Sequence, residues 1–89
     1  LDEARRLLGF PSAKLTLEEH LLEMGANIKK LRSQHHLTQQ ELADQSGMDR
    51  TYISMVEHGK QNLTMGALLR ISEALNVPLS EILGNESYK

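Results

Sequence analysis

Leu17, Leu21, Met24, Ile28 and Leu31 recur at steps of three and four residues, the spacing that lines one face of an α-helix. Thr16 precedes this row with Glu19 three positions on, a capping box in which each side chain satisfies the other's free backbone N–H. The pattern predicts one helix from about Leu17 to Gln34. Gly25 interrupts the row at up to about 1 kcal/mol relative to Ala, and marks either a kink or a later helix start. Thr38 and Glu41 form a second capping box, after which Leu42 and Ala43 face inward. Gly47 supplies the backbone freedom for a turn, and Met48 plugs the core beside it. Asp49 is expected to cap a third helix by accepting first-turn N–H bonds. Ile53 and Val56 are its buried side, and Gly59 ends it as a C-cap. Thr64 caps a fourth helix, with Leu68, Ile71 and Leu75 inward and Asn76 as its stop. Pro78 pre-sets the first turn of a short fifth helix with Leu79, Ile82 and Leu83 apolar. Upstream, residues 2–10 have the pattern of a short amphipathic helix, with Ala4, Leu7 and Leu8 on one side and a linker from Pro11 to Leu15 behind it. Strand-like alternation and internal repeats are both missing from the sequence. The class is all-α.

Two short helices flanking Gly47 outline a helix-turn-helix, the shape that lays its second helix in the DNA major groove. On that helix, residues 50–57, Arg50, Thr51, Ser54 and Met55 fall away from the apolar pair Ile53 and Val56. Arg offers two donors to guanine O6 and N7, and Thr offers a hydroxyl with a methyl that suits thymine. Tyr52 can stack on sugar or donate to a phosphate. Gln39, in the first turn of the preceding helix, lies among free N–H groups that suit a phosphate oxygen. Lys60 and Asn62, with Gln61 between them, add a cation and amide donors for a second backbone clamp.

These residues carry a resemblance. From Gly25 to Leu83 the chain resembles the phage repressor and Cro-like (XRE-type) helix-turn-helix regulators. The matching runs are LTQQELA at 37–43, Gly47, ISMVEHG at 53–59 and ALNV at 74–77. Within that family DRTYIS at 49–54, followed by NLT at 62–64, is similar to the controller proteins of restriction–modification systems. The resemblance implies a five-helix, lambda-repressor-like DNA-binding domain that binds double-stranded DNA as a twofold dimer, with part of the dimer contact from the fourth and fifth helices. It implies that Gln39 touches phosphate and braces the recognition helix. It places Arg50, Thr51 and Met55 where the family reads bases, and Tyr52, Ser54, Lys60 and Asn62 where it holds backbone or neighbouring bases. Met55 is apolar where several relatives carry a polar reader, which implies a methyl or shape contact there. The domain division that follows is an N-terminal helical extension at 1–23, the DNA-binding unit at 24–84 and a polar tail at 85–89.

Charge changes this picture little. The 89 residues carry a net charge of -2, where nucleic-acid-binding domains are usually basic. Residues 24–62 are the least acidic third, with five Lys or Arg against four Asp or Glu, but they form no basic stripe. Cysteine is absent, which excludes a disulfide scaffold and thiol chemistry and fits a reducing cytoplasm. No apolar run approaches the roughly 18 residues of a membrane span. The pair His35–His36 stands without a second ligand cluster, so neither a metal nor a cofactor is expected. Catalytic triads, paired-carboxylate clefts and phosphate loops are likewise missing from the sequence, which argues against an enzyme. The competing class is an antitoxin or adaptor in which residues 1–23 grip a partner protein, motivated by Leu7, Leu8, Leu17 and Leu21.

Overall fold

The structure, a computed structural model, describes residues 16–84. The expected helix at 2–10, its linker and the tail at 85–89 lie outside the described residues. Five helices follow one another: α1 Leu17–Gln34, α2 Gln39–Ser46, α3 Arg50–Glu57, α4 Met65–Leu75 and α5 Leu79–Leu83. The described residues contain no strand. α1 packs on α3 and α5, α2 packs on α3 and α4, and α4 closes on α5. Ile28 and Leu31 of α1, Leu42 and Ala43 of α2, Ile53 and Val56 of α3, Leu68, Ile71 and Leu75 of α4 and Ile82 of α5 meet in one core. Each large aliphatic side chain buried there contributes about 1.5–3 kcal/mol. None of these helices is long and apolar enough to cross a membrane.

Both capping boxes form. Thr16 Oγ1 accepts the Glu19 N–H at 3.1 Å while Glu19 Oε1 accepts that of Thr16 at 3.0 Å. Thr38 and Glu41 repeat the exchange at 3.0 and 2.8 Å. Thr64 caps α4, its hydroxyl accepting the Ala67 N–H at 3.1 Å.

The first four helices end in one way, the Schellman motif, in which two N–H groups past the helix satisfy two of its last carbonyls. Leu37 N–H reaches Arg32 O, Met48 reaches Ala43, Lys60 reaches Met55 and Val77 reaches Ser72, at 2.8–3.1 Å. The residue before each donor adopts a left-handed backbone: His36 (φ 57°), Gly47 (φ 70°), Gly59 (φ 71°) and Asn76 (φ 55°). Leu37, Met48 and Val77 then fold back onto the core. The motif leaves Lys60 exposed instead.

Several expectations need correction. Asp49 sits at the N-cap of α3, but its carboxylate makes no cap bond; the residue is exposed, and its carbonyl accepts the Ile53 N–H at 3.1 Å. Leu17 shares the apolar row of α1 but is 64% exposed. Gly59 stands one position beyond the C-cap, which is His58. Pro78 likewise lies one residue outside α5, as its N-cap. Gly25 does not start a shorter helix, since α1 runs unbroken from Leu17 to Gln34. It lies where α1 meets the end of α3, so that a Cβ there would run into the carbonyl oxygen of Val56 and lie 2.9 Å from that of Glu57.

Candidate nucleic-acid interface

The centre of the motif is a buried ion pair at the end of α3. Glu57, with its side chain 1% exposed, takes Arg32 Nε on Oε2 at 2.6 Å and Arg32 Nη2 on Oε1 at 3.1 Å. Arg32 Nη1 donates to the Leu37 carbonyl at 2.7 Å. Gln39 Nε2 donates to Glu57 Oε1 at 3.1 Å. Both carboxylate oxygens are therefore satisfied, which a buried charge requires. Donation to the Glu57 carboxylate is the main reason the Arg32 guanidinium is held above its ordinary pKa. Lys29, Lys30 and Arg32 are the three cations in this half of α1. The geometry selects Arg32, whose planar fork can serve carboxylate and carbonyl together, while both lysines are exposed.

This network and the apolar contacts of Ile53 and Val56 fix which side of α3 faces out. Arg50, Thr51 and Met55 are exposed and Ser54 is half-buried beside them. They lie together on the side away from the core, as their spacing predicts. At about 1.5 Å per residue the eight residues of α3 span about 12 Å, close to the width of a B-DNA major groove. Gln40 Nε2 bonds Asp44 Oδ1 at 2.9 Å along the outside of α2, leaving Gln39 as the first-turn amide that points into the α2–α3 junction.

Tyr52 is not part of the exposed row. It is half-buried and packs against the core, and it lines a groove of about 420 Å³ with Gly47, Met48, Asp49, Thr64, Gly66, Ala67 and Arg70. Lys60 and Asn62 are exposed on the segment between α3 and α4. The exposure of Lys60 is informative because the three equivalent positions, Leu37, Met48 and Val77, are apolar and packed. A cation there gives up a core contact.

His58 was missed as a member of this face. It follows α3 directly and is exposed, with its ring Nδ1 2.7 Å from the Ser54 carbonyl. That carbonyl can only accept, so Nδ1 donates to it. The helical spacing Thr51, Met55, His58 was the signal that would have found it. Among the described residues no three His, Asp or Glu side chains group to hold a metal.

The Helix-turn-helix family model matches residues 28–82. Control protein C.SmaI of Serratia marcescens is 33% identical over 66 residues, covering 74% of this chain and 79% of its own length. Control protein C.MunI of Mycoplasma sp is 38% identical over 65 residues, covering 72% of this chain and 88% of its own. A solved structure of the restriction-modification controller protein C.Esp1396I, a tetramer in complex with its natural 35 base-pair operator, is similar at a TM-score of 0.68 and 39% identity, covering 78% of this chain and 95% of that one.

Proposed function

The chain belongs to the helix-turn-helix family, and from that premise we propose that it is a sequence-specific DNA-binding transcriptional regulator acting as a homodimer on a pseudo-palindromic operator. The observation that carries the proposal is the outward row of exposed Arg50, Thr51 and Met55 with half-buried Ser54, on a helix whose other side is locked by Ile53, Val56 and Glu57. In this reading α3 enters the major groove. Arg50 reads a guanine, Thr51 and Met55 present methyl groups to thymine, and Ser54 holds a neighbouring base or phosphate. Gln39 at one end of the motif and Lys60 and Asn62 at the other hold the phosphate backbone. Tyr52, with its ring packed on the domain, reaches the backbone through its hydroxyl.

The dimer contact comes from the α4–α5 region. Met65 and Leu69, 60% and 47% exposed, are one helical turn apart on α4 and lie outside its buried row. The C.Esp1396I tetramer on its operator supports assembly on DNA. The protein works by binding, in the cytoplasm, with residues 1–23 as an extension to the DNA-binding unit of 24–84 and residues 85–89 as its tail. A second reading, a protein partner held through residues 1–23, is favoured by the exposure of Leu17 and Leu22 on α1.

Selection from random-sequence duplexes tests the proposal. The enriched sequences should contain two inverted half-sites with centres about 10 base pairs, one DNA turn, apart. Enrichment of no common sequence, or of a single unpaired half-site, contradicts it.

A further inference from the structure

Arg32 is on α1, outside the helix-turn-helix, yet it bonds to both ends of that motif. Its Nε and Nη2 hold the two oxygens of Glu57, the last residue of α3, and its Nη1 holds the carbonyl of Leu37, just before the α2 cap. Glu57 Oε1 in turn anchors the amide of Gln39, the first residue of α2. We propose that Arg32 is a positioning residue for DNA binding, which acts by aiming the Gln39 amide at a backbone phosphate. The inference rests on the phosphate contact assigned to Gln39 above.

A free Gln amide swings about several torsions, and ordering it takes entropy from any contact it makes. Here one of its two N–H groups is fixed on Glu57, so the second N–H has a defined direction. That anchor is only as rigid as the carboxylate, and the carboxylate is held at both oxygens by the guanidinium fork. The Leu37 bond adds a second constraint, since Leu37 leads into Thr38 and the capping box that starts α2. One guanidinium therefore fixes where the Gln39 backbone begins and where its amide points. A lysine keeps the charge beside Glu57, but its single ammonium cannot hold the fork and the Leu37 carbonyl together.

The test is a double-mutant cycle on operator affinity, using a duplex enriched by the selection above and four proteins: parent, Arg32→Lys, Gln39→Ala and the double variant. Removing an interaction of ordinary hydrogen-bond strength weakens binding about fivefold. Gln39→Ala should do so, and Arg32→Lys should do so in the parent. In the Gln39→Ala background, Arg32→Lys should have less than about a twofold effect, because nothing is left to aim. Equal factors in both backgrounds overturn the inference and leave Arg32 with a purely structural role. Unchanged affinity for Gln39→Ala alone overturns the phosphate assignment and the inference with it. Thermal melts show whether each protein is folded. Should Arg32→Lys not fold, Glu57→Gln takes its place in the cycle, since it retains an acceptor for Gln39 and loses the ionic fork.

Discussion

A methyl group added at Gly25 would meet the backbone carbonyls of Val56 and Glu57, whereas one added at Gly66 finds, among the described residues, only Thr64 Oγ1, at 3.9 Å. Both glycines are helical, so Ala gains up to about 1 kcal/mol of helix propensity at each. At Gly25 a clash with backbone opposes that gain, and overpacking of this kind costs about 1–3 kcal/mol. Gly25→Ala should therefore lower the melting temperature and Gly66→Ala should raise it, with chemical denaturation giving a net change of about 0.5–1 kcal/mol in stability for Gly66→Ala. The sequence could show Gly25 only as a gap in an apolar row, because the close approach belongs to the α1–α3 packing. In the sequence Glu57 is only an acidic residue just before the end of a helix. Its burial, and the choice of Arg32 over Lys29 and Lys30, depend on where α1 crosses α3.

The ends of the helices were the most legible elements. Thr16 with Glu19, Thr38 with Glu41, Gly47 and Asn76 act within a few residues of themselves, so their meaning survives without the fold. The failures at this scale came where water or the wider fold decides. Asp49 has the right residue type for a cap, but the residue is exposed and its carboxylate makes no cap bond. His36 takes a left-handed backbone that its residue type does not announce, and the fold imposes it by docking Leu37 on the core. Lys60 at the same point after α3 is the exposed exception, and the proposed function gives it a phosphate contact. Lys60→Ala should leave the thermal melt almost unchanged and weaken operator and unrelated DNA by similar factors. The slope of log affinity against log salt should fall in magnitude by about 1. A selective loss on the operator alone would instead make Lys60 a base reader.

Over the whole molecule the net charge of -2 means that non-specific attraction to DNA is small. In the proposed reading, contacts to phosphate supply affinity at a few positions, and base contacts with the spacing of two recognition helices supply much of the specificity. The fold class was legible because the helical rows are regular and each is bounded by a cap. The exposed row on α3 was legible for the same reason, from its spacing against Ile53 and Val56. How two copies meet was not, since an exposed apolar residue on one chain does not reveal its cover. Met65 and Leu69 are the residues proposed to meet there, and Leu69→Lys should shift the protein toward monomer by analytical ultracentrifugation while each monomer stays folded. A dimer as tight as the parent's would move the interface elsewhere. The central claim, that α3 reads bases through its exposed row, is tested most directly by titrating Arg50→Ala and the parent against the selected operator and its single-base variants. Arg50→Ala should lose about 1–3 kcal/mol of binding, with discrimination relaxed at one base position in each half-site. Parental affinity with parental discrimination would contradict it.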